Sequence, residues 1–502
     1  MTGSGTLADG TVDRAAGMGV LLAACISAFV VNANTSAVTI LLPSISTDLD
    51  ASMSLLQWAV TGYMLVGAAT IVTSGALGDV LGRRKVFIAG LLLFVVSCAF
   101  IALAGTGGGV VAGRMIQGAA GSTILACGMS LLSVDASGPS QMKAITIWGA
   151  ASAAGAAAGP LIGGVLDGST GWQGLFWIDA VIAAACIPIA ILKVTESRDP
   201  NRPRSIDYAG TVLIAVVLVP LVLALSMGAT WGWGSLATLG CFALSIAGAV
   251  GFVAVERRVA APLVDLQLLR NRVLVGATIA ILLVAGTINA LMYLLSLYFQ
   301  NPDAFGMSAL DAGLATLPAA AVMIAMTPFI TPIAVKIGSR AAVLLGFLLA
   351  AVGFGALAFV GASWPYVAFV PPLIGISIGL GLSNGPASSA STSAVPSNQV
   401  GQASGISNMA RYVGGSLFVA GIATIYSQST DTALADGASP SEALATGLAR
   451  SSFALALLCA LAIIVSVLLG RHRARQPAAV DRAAAAAASV HTIPTEPVTV
   501  GS

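Results

Sequence analysis

Between Arg340 and Arg411 the chain runs for 70 residues without a single charged side chain. A second uncharged run of 48 residues separates Asp207 from Glu256. Shorter ones fill the 33 positions between Arg14 and Asp48, the 28 between Asp50 and Asp79 and the 28 between Lys85 and Arg114. A helix crossing a bilayer needs about 20 mostly apolar residues. Each shorter run therefore holds one span, and each longer run holds two. The longer ones break at Trp231-Gly232-Trp233-Gly234 and at Gly361-Ala362-Ser363-Trp364-Pro365. Only 8% of the 502 residues are charged and 57% are hydrophobic, against about 25% charge in soluble domains. A globule of this size could not cover itself with polar side chains, which excludes a soluble enzyme, a nucleic-acid binder and a secreted domain. A membrane β-barrel would show strands of about ten residues alternating apolar and polar. Residues 211–226 and 341–360 are continuously apolar instead, so the chain is read as an all-α polytopic membrane protein.

The expected spans number fourteen: 17–41, 57–77, 86–105, 109–131, 143–166, 174–193, 208–227, 236–255, 273–298, 312–334, 341–360, 365–386, 405–427 and 448–470. Loss of the pair within 208–255 would leave twelve. With the N-terminus in the cytoplasm, all of the 22 Lys and Arg except Arg114 and Arg450 fall at cytoplasmic loops, tails or helix ends. Asp48, Asp50, Asp167, Asp303, Asp311, Asp431, Asp436 and Glu442 fall opposite. This positive-inside bias predicts both termini in the cytoplasm and an even number of spans. The first apolar run reads as span one, not as a cleaved leader. The six cysteines lie inside expected spans without metal or disulfide spacing. No metal site, cofactor motif, Walker loop or catalytic triad is evident, so no enzyme is expected. His472 and His491 both lie in the tail, leaving no imidazole for a proton relay within the membrane. Residues 471–502 begin with a basic cluster suited to anionic lipid and are expected to be disordered beyond it.

Four segments carry more specific information. Gly75-Ala76-Leu77-Gly78-Asp79-Val80-Leu81-Gly82-Arg83-Arg84-Lys85 joins spans two and three. So short a loop needs glycines, and a carboxylate there suits a helix N-terminus. Span four carries Arg114-Met115-Ile116-Gln117-Gly118. An arginine within a span costs about 2.5–3.5 kcal/mol at mid-helix on insertion scales, so Arg114 either faces protein or snorkels to the interface. Span five carries Gly155, Gly159, Pro160, Gly163 and Gly164. Glycines four apart line one helix face, and a proline bends the helix. Leu297-Tyr298-Phe299-Gln300 ends span nine, and Gly401-Gln402-Ala403-Ser404-Gly405 with Asn408 and Arg411 opens span thirteen.

These segments resemble the major facilitator superfamily and, within it, the fourteen-span drug:proton antiporter-2 family of multidrug exporters. The resemblance covers about residues 17–470. It implies a six-helix bundle over 17–193, an inserted helix pair over 208–255 and a second bundle over 273–470, flanked by cytoplasmic tails 1–16 and 471–502. By the same resemblance Gly75, Asp79, Gly82, Arg83 and Arg84 form a latch that holds the cytoplasmic side shut. Arg114 and Gln117 match a motif linked to proton transfer. The glycines of span five shape the seam between the two halves. Val80 departs where the family usually has Arg.

One departure bears on the mechanism. Aligned on Pro43, Asn34 stands where the family usually has a span-one Asp, and Thr39 stands at its Asn. A buried carboxyl can exchange protons with substrate, whereas an amide cannot. Asp179, in turn, stands where the family usually has Asn. It is either a relocated proton carrier or, since span six is peripheral in that fold, a carboxylate near the outer interface. Polar residues within apolar spans supply the cavity candidates Asn34, Gln57, Tyr63, Gln117, Asn289, Tyr293, Asn384 and Asn408. Each serves either an interhelical hydrogen bond or substrate. The expected activity is export of small amphipathic drugs or metabolites from the cytoplasm across the plasma (inner) membrane, in exchange for protons, by a monomer rocking in lipid. A facilitator or exporter uncoupled from protons, and a transport-inactive sensor, remain as alternatives.

Overall fold

The computed structural model describes residues 6–135, 138–197, 207–259, 262–396 and 399–470. The expected disordered tail 471–502 lies outside them. Six helices come first: α1 (Thr6–Asp48), α2 (Met53–Leu81), α3 (Arg83–Ala102), α4 (Gly107–Asp135), α5 (Gly138–Thr170) and α6 (Gln173–Lys193). Next come α7 (Tyr208–Trp231) and α8 (Leu236–Glu256), then a short 3-10 turn at Leu266–Arg270. The last six are α9 (Arg272–Gln300), α10 (Ala309–Ile337), α11 (Ser339–Leu357), α12 (Tyr366–Ser393), α13 (Val400–Ala435) and α14 (Pro440–Gly470). Among the described residues there is no strand.

Local chemistry sets the helix ends. The side chains of Ser52, Asp207, Ser235, Asn271 and Ser308 each accept from a backbone N–H of the helix that follows, satisfying donors that a helix start leaves open. Gly82, at φ 110°, turns the chain between α2 and α3 without a loop. Only glycine enters that region without strain.

Twelve of the helices are long and apolar enough to cross a membrane. A thirteenth is α5 if its two halves, bent by 40° between Ala156 and Ala158, are taken together. The bend follows from Pro160, which has no N–H to give and whose ring crowds the carbonyl four residues back, at Ala156. The remaining helix, α13, is not among the twelve; its first half carries Gln402, Ser404, Ser407, Asn408 and Arg411.

Polarity is reversed relative to a soluble protein. Leu92, Val96, Val181, Leu192, Val250 and Phe359 face outward, while Asn34, Arg114, Gln117 and Asp179 are buried. Such a surface suits lipid. One apolar core draws on α1 to α6 and a second on α9 to α14. A third cluster seats α7 against α2 and α13, and α8 packs on α7. Along its flanks the first group meets the second through α2 on α13 and α5 on α10.

The two ends of the molecule differ. Arg83, Arg84, Lys85, Lys193, Lys336 and Arg340 mark a basic end, and Asp48, Asp50, Asp167, Asp303 and Asp311 an acidic one. Near the basic end the groups are joined across their interior. Ser404 Oγ donates to the Ala126 carbonyl at 2.8 Å, and Ser393 Oγ donates to Gln141 Oε1 at 2.8 Å. By contrast, among the described residues α1 packs chiefly within the first group and α9 chiefly within the second.

Candidate functional site

The residues expected to form a latch gather around a buried ion pair. Asp79 and Arg83 lie one turn apart across the tight corner, and Arg83 Nη2 reaches Asp79 Oδ1 at 2.7 Å. The Asp79 carboxylate lies against Gly401, where any Cβ would overlap it, at the start of α13 in the other group. Helix starts favour a negative charge, so Asp79 spans the junction. Both arginines also hold the corner to the first group. Arg83 Nη1 donates to Ser197 Oγ at 3.2 Å, and Arg84 Nη1 to the Val194 carbonyl at 3.1 Å. The Arg84 backbone N–H donates to Glu196 Oε1 at 3.1 Å. These contacts tie the corner to the end of α6, within the first group. Gly75 sits where a Cβ would press on the Gly401 carbonyl.

A second cluster lies nearer the acidic end. Arg114 is fully buried on α4, which excludes snorkelling. Its Nε donates to the Ala59 carbonyl at 3.1 Å and its Nη1 to Asn34 Oδ1 at 2.6 Å. A further short bond joins Nη1 to Gln117 Oε1. The guanidinium also lies 4.2 Å from the centre of the Tyr63 ring, and Gln117 Nε2 donates to Cys98 Sγ at 3.0 Å. These contacts offset the desolvation of the charge.

Asp179 completes the cluster. The peripheral position expected of span six would leave it at the outer interface, but it is only 4% exposed and its Oδ2 accepts from Asn34 Nδ2 at 2.7 Å. It lies six residues into α6, about 9 Å from that helix end. Asn34 thus bridges the two charges, its carbonyl towards Arg114 and its amino group towards Asp179. No other orientation of the amide serves both partners.

The other candidates divide. Asn384 accepts from Arg411 Nη1 at 2.9 Å. Asn408 is buried in the closed α4–α13 contact, donating to the Ser404 carbonyl at 3.0 Å. Asn289 is exposed and donates to the Ala285 carbonyl of its own helix at 2.8 Å. Tyr293 is half-buried and shares no cluster with the rest. The Gln57 side chain lies outside the description. Gly155, Gly159 and Gly163 pack against Phe29, Ala33 and Ala37 of α1. That face lies inside the first group and not at the seam between the halves. Pro160 faces Gly313 of α10, across the seam, and Gly164 is half-buried.

Arg411 is the residue the charge pattern misplaced. Counted there among the helix-end charges, it lies eleven residues into α13 because that helix starts at Val400. The Arg-to-Trp interval offered no local signal, since Trp148, whose ring centre is 5.7 Å away, is on α5.

The Major Facilitator Superfamily family model matches residues 24–419. The chain belongs to the major facilitator superfamily. It is 32% identical to the tetracenomycin C resistance and export protein of Streptomyces glaucescens over 401 residues, 79% of this chain and 73% of that one. It is 30% identical to the cephamycin export protein CmcT of Amycolatopsis lactamdurans over 444 residues, 87% of this chain and 91% of that one. The structure is similar to that of the human organic anion transporter MFSD10, with a TM-score of 0.63 at 17% identity, covering 90% of this chain and 99% of the other; at that identity the likeness speaks for the fold alone. The resemblance to drug:proton antiporter-2 exporters holds, and this facilitator is a multi-pass membrane protein and an efflux transporter.

Proposed function

We propose that this facilitator exports small amphipathic molecules, drugs or secondary metabolites among them, in exchange for protons, and that Asp179 carries the proton. The observation behind this is the 2.7 Å bond from Asn34 to Asp179. The span-one position that holds a carboxyl in the family is here an amide, and the carboxyl it lacks is supplied from α6 to the same cluster. Ionised, Asp179 accepts from Asn34, whose carbonyl is then held towards Arg114. Protonated at Oδ2, it becomes a donor and a much poorer acceptor there, so the bond from Asn34 weakens and the amide can turn. That exchange of partners couples proton occupancy to how α1, α4 and α6 are held together.

The basic end faces the cytoplasm in this reading, by the positive-inside rule. Both termini are then cytoplasmic, the membrane is the plasma membrane, and one chain in lipid suffices. Export names among the relatives support amphipathic cargo. The test is uptake of an amphiphile panel into inside-out vesicles bearing an imposed pH gradient. Wild-type vesicles accumulate at least one compound, and dissipating the gradient stops it. Accumulation that ignores the gradient favours the uncoupled exporter that Asn34 by itself suggests. Vesicles that move no compound overturn the export reading.

A further inference from the structure

The proton cluster leaves Arg411 without a role. It sits on α13, eleven residues beyond Val400, about 16 Å from that helix end. Asn384 is nine residues from the basic end of α12 and Trp148 ten from that of α5, about 14 and 15 Å. Three helices from both groups therefore bring these side chains to one depth, about a third of the way along helices of 28 to 36 residues, inside the membrane on its basic side.

A guanidinium there calls for an anion. Arg411 Nη1 donates to Asn384 Oδ1 at 2.9 Å and Nη2 to Ser388 Oγ at 2.6 Å. Both acceptors are neutral. Arg411 Nε is buried with no acceptor among the described residues, and so is Trp148 Nε1. Among the described residues no carboxylate pairs with it, and Asp79, against Gly401, lies ten residues back along α13, about 15 Å away. Asp431 is the acid on α13, twenty residues on, Asp167 and Asp311 lie near the acidic ends of α5 and α10, and α12 carries none. Asp179 is engaged by Asn34. A cleft between α5, α10 and α12, lined by Gly149, Met323, Thr327 and Asn384, adjoins the group.

We infer that Arg411 is a recognition point for cargo bearing an oxyanion, a carboxylate or one of similar planar shape, held by the guanidinium with its apolar body along the seam. The inference rests on the export reading and names the charge of the cargo. An oxyanion supplies the acceptor that Nε lacks and the countercharge that Asn384 and Ser388 cannot give. A planar fork matches a guanidinium in two parallel bonds. The Trp148 face beside it accommodates both the cation and a flat ring.

The experiment uses two dyes with the same ring frame and opposite charge, fluorescein (anionic) and rhodamine 6G (cationic). Their binding to the purified full-length protein in lipid nanodiscs is read by fluorescence anisotropy. Wild type binds fluorescein in preference. Arg411→Gln weakens fluorescein by about tenfold or more, the loss of one charge-assisted contact, and leaves rhodamine 6G unchanged or tighter because a repulsion has gone. Arg411→Lys keeps part of the fluorescein binding, because it retains the charge but not the planar fork. A wild type that prefers rhodamine 6G or binds no fluorescein overturns the inference. So does equal loss of both dyes in Arg411→Gln, or an Arg411→Lys variant no better than Arg411→Gln. Accumulation assays on the wider amphiphile panel report separately on export, so a transporter of uncharged or cationic cargo would fail here and pass there.

Discussion

Asp79 is 0% exposed and is paired with an arginine almost as deeply buried. Removing the charge of one partner leaves the other desolvated, which costs about 3–5 kcal/mol where a buried pair is broken. Asp79→Asn is therefore expected to cut efflux by about tenfold or more at equal membrane abundance, measured as dye retention in cells. Activity within about twofold of wild type would mean that the junction with Gly401 does not need the charge. A residue's chemistry was legible where it stood in a local motif. Asp79, Gly82, Arg83 and Arg114 were all found from their neighbours in sequence. The Asn34–Asp179 bond joins positions 145 apart, and nothing in the spacing around either residue reports it. The amide in span one and the carboxylate in span six looked like two separate departures, and only packing makes them one exchange.

At the scale of the element, α5 and α1 mesh through residues four apart on both helices. Gly155, Gly159 and Gly163 stand against Phe29, Ala33 and Ala37. A Cβ at Gly159 would overlap the Ala33 carbonyl, whereas nothing lies within 4 Å of one added at Gly168. Overpacking of this kind costs about 1–3 kcal/mol. Gly159→Ala is expected to lower the unfolding temperature in detergent by several degrees, and Gly168→Ala to leave it unchanged. Equal behaviour of the two variants would show that α1 and α5 are free to part. Period and composition made this helix face visible in the sequence, and Pro160 predicted the bend. They could not say which helix the glycines meet, because the partner is set by the order of packing around the bundle. The start of α13 was misjudged for a related reason. Its first turns are rich in Gly and Ser, which placed the start of the span at 405, yet the helix begins at Val400 and those turns are buried against α2 and α4, where packing overrides local propensity.

As a whole the molecule is joined near its basic end, and among the described residues α1 and α9 form no extended contact. Transport by rocking of two groups requires that junction to open. Gln141 and Ser393 touch across it at 2.8 Å. In a background stripped of the six native cysteines, the pair Gln141→Cys and Ser393→Cys is expected to be bridged by a short bis-methanethiosulfonate crosslinker, to stop efflux, and to recover on reduction. Continued efflux through the crosslinked protein would show that the junction stays closed during transport. The number of long helices was readable from charge spacing, because lipid forbids charges in so much of the chain, and the fourteen α-helices of the described residues match it. Which face of each span looks inward was not, since in lipid both faces are apolar.

The most direct test of proton coupling is the exchange of the two side chains, measured as pH-gradient-driven uptake in inside-out vesicles. The single variant Asp179→Asn is expected to lose driven uptake while keeping substrate exchange in the absence of a gradient. The double variant Asn34→Asp with Asp179→Asn, which returns the carboxyl to α1, is expected to regain it. Driven uptake that persists in Asp179→Asn, or fails to return when the carboxyl is restored across the same bond, would contradict the account.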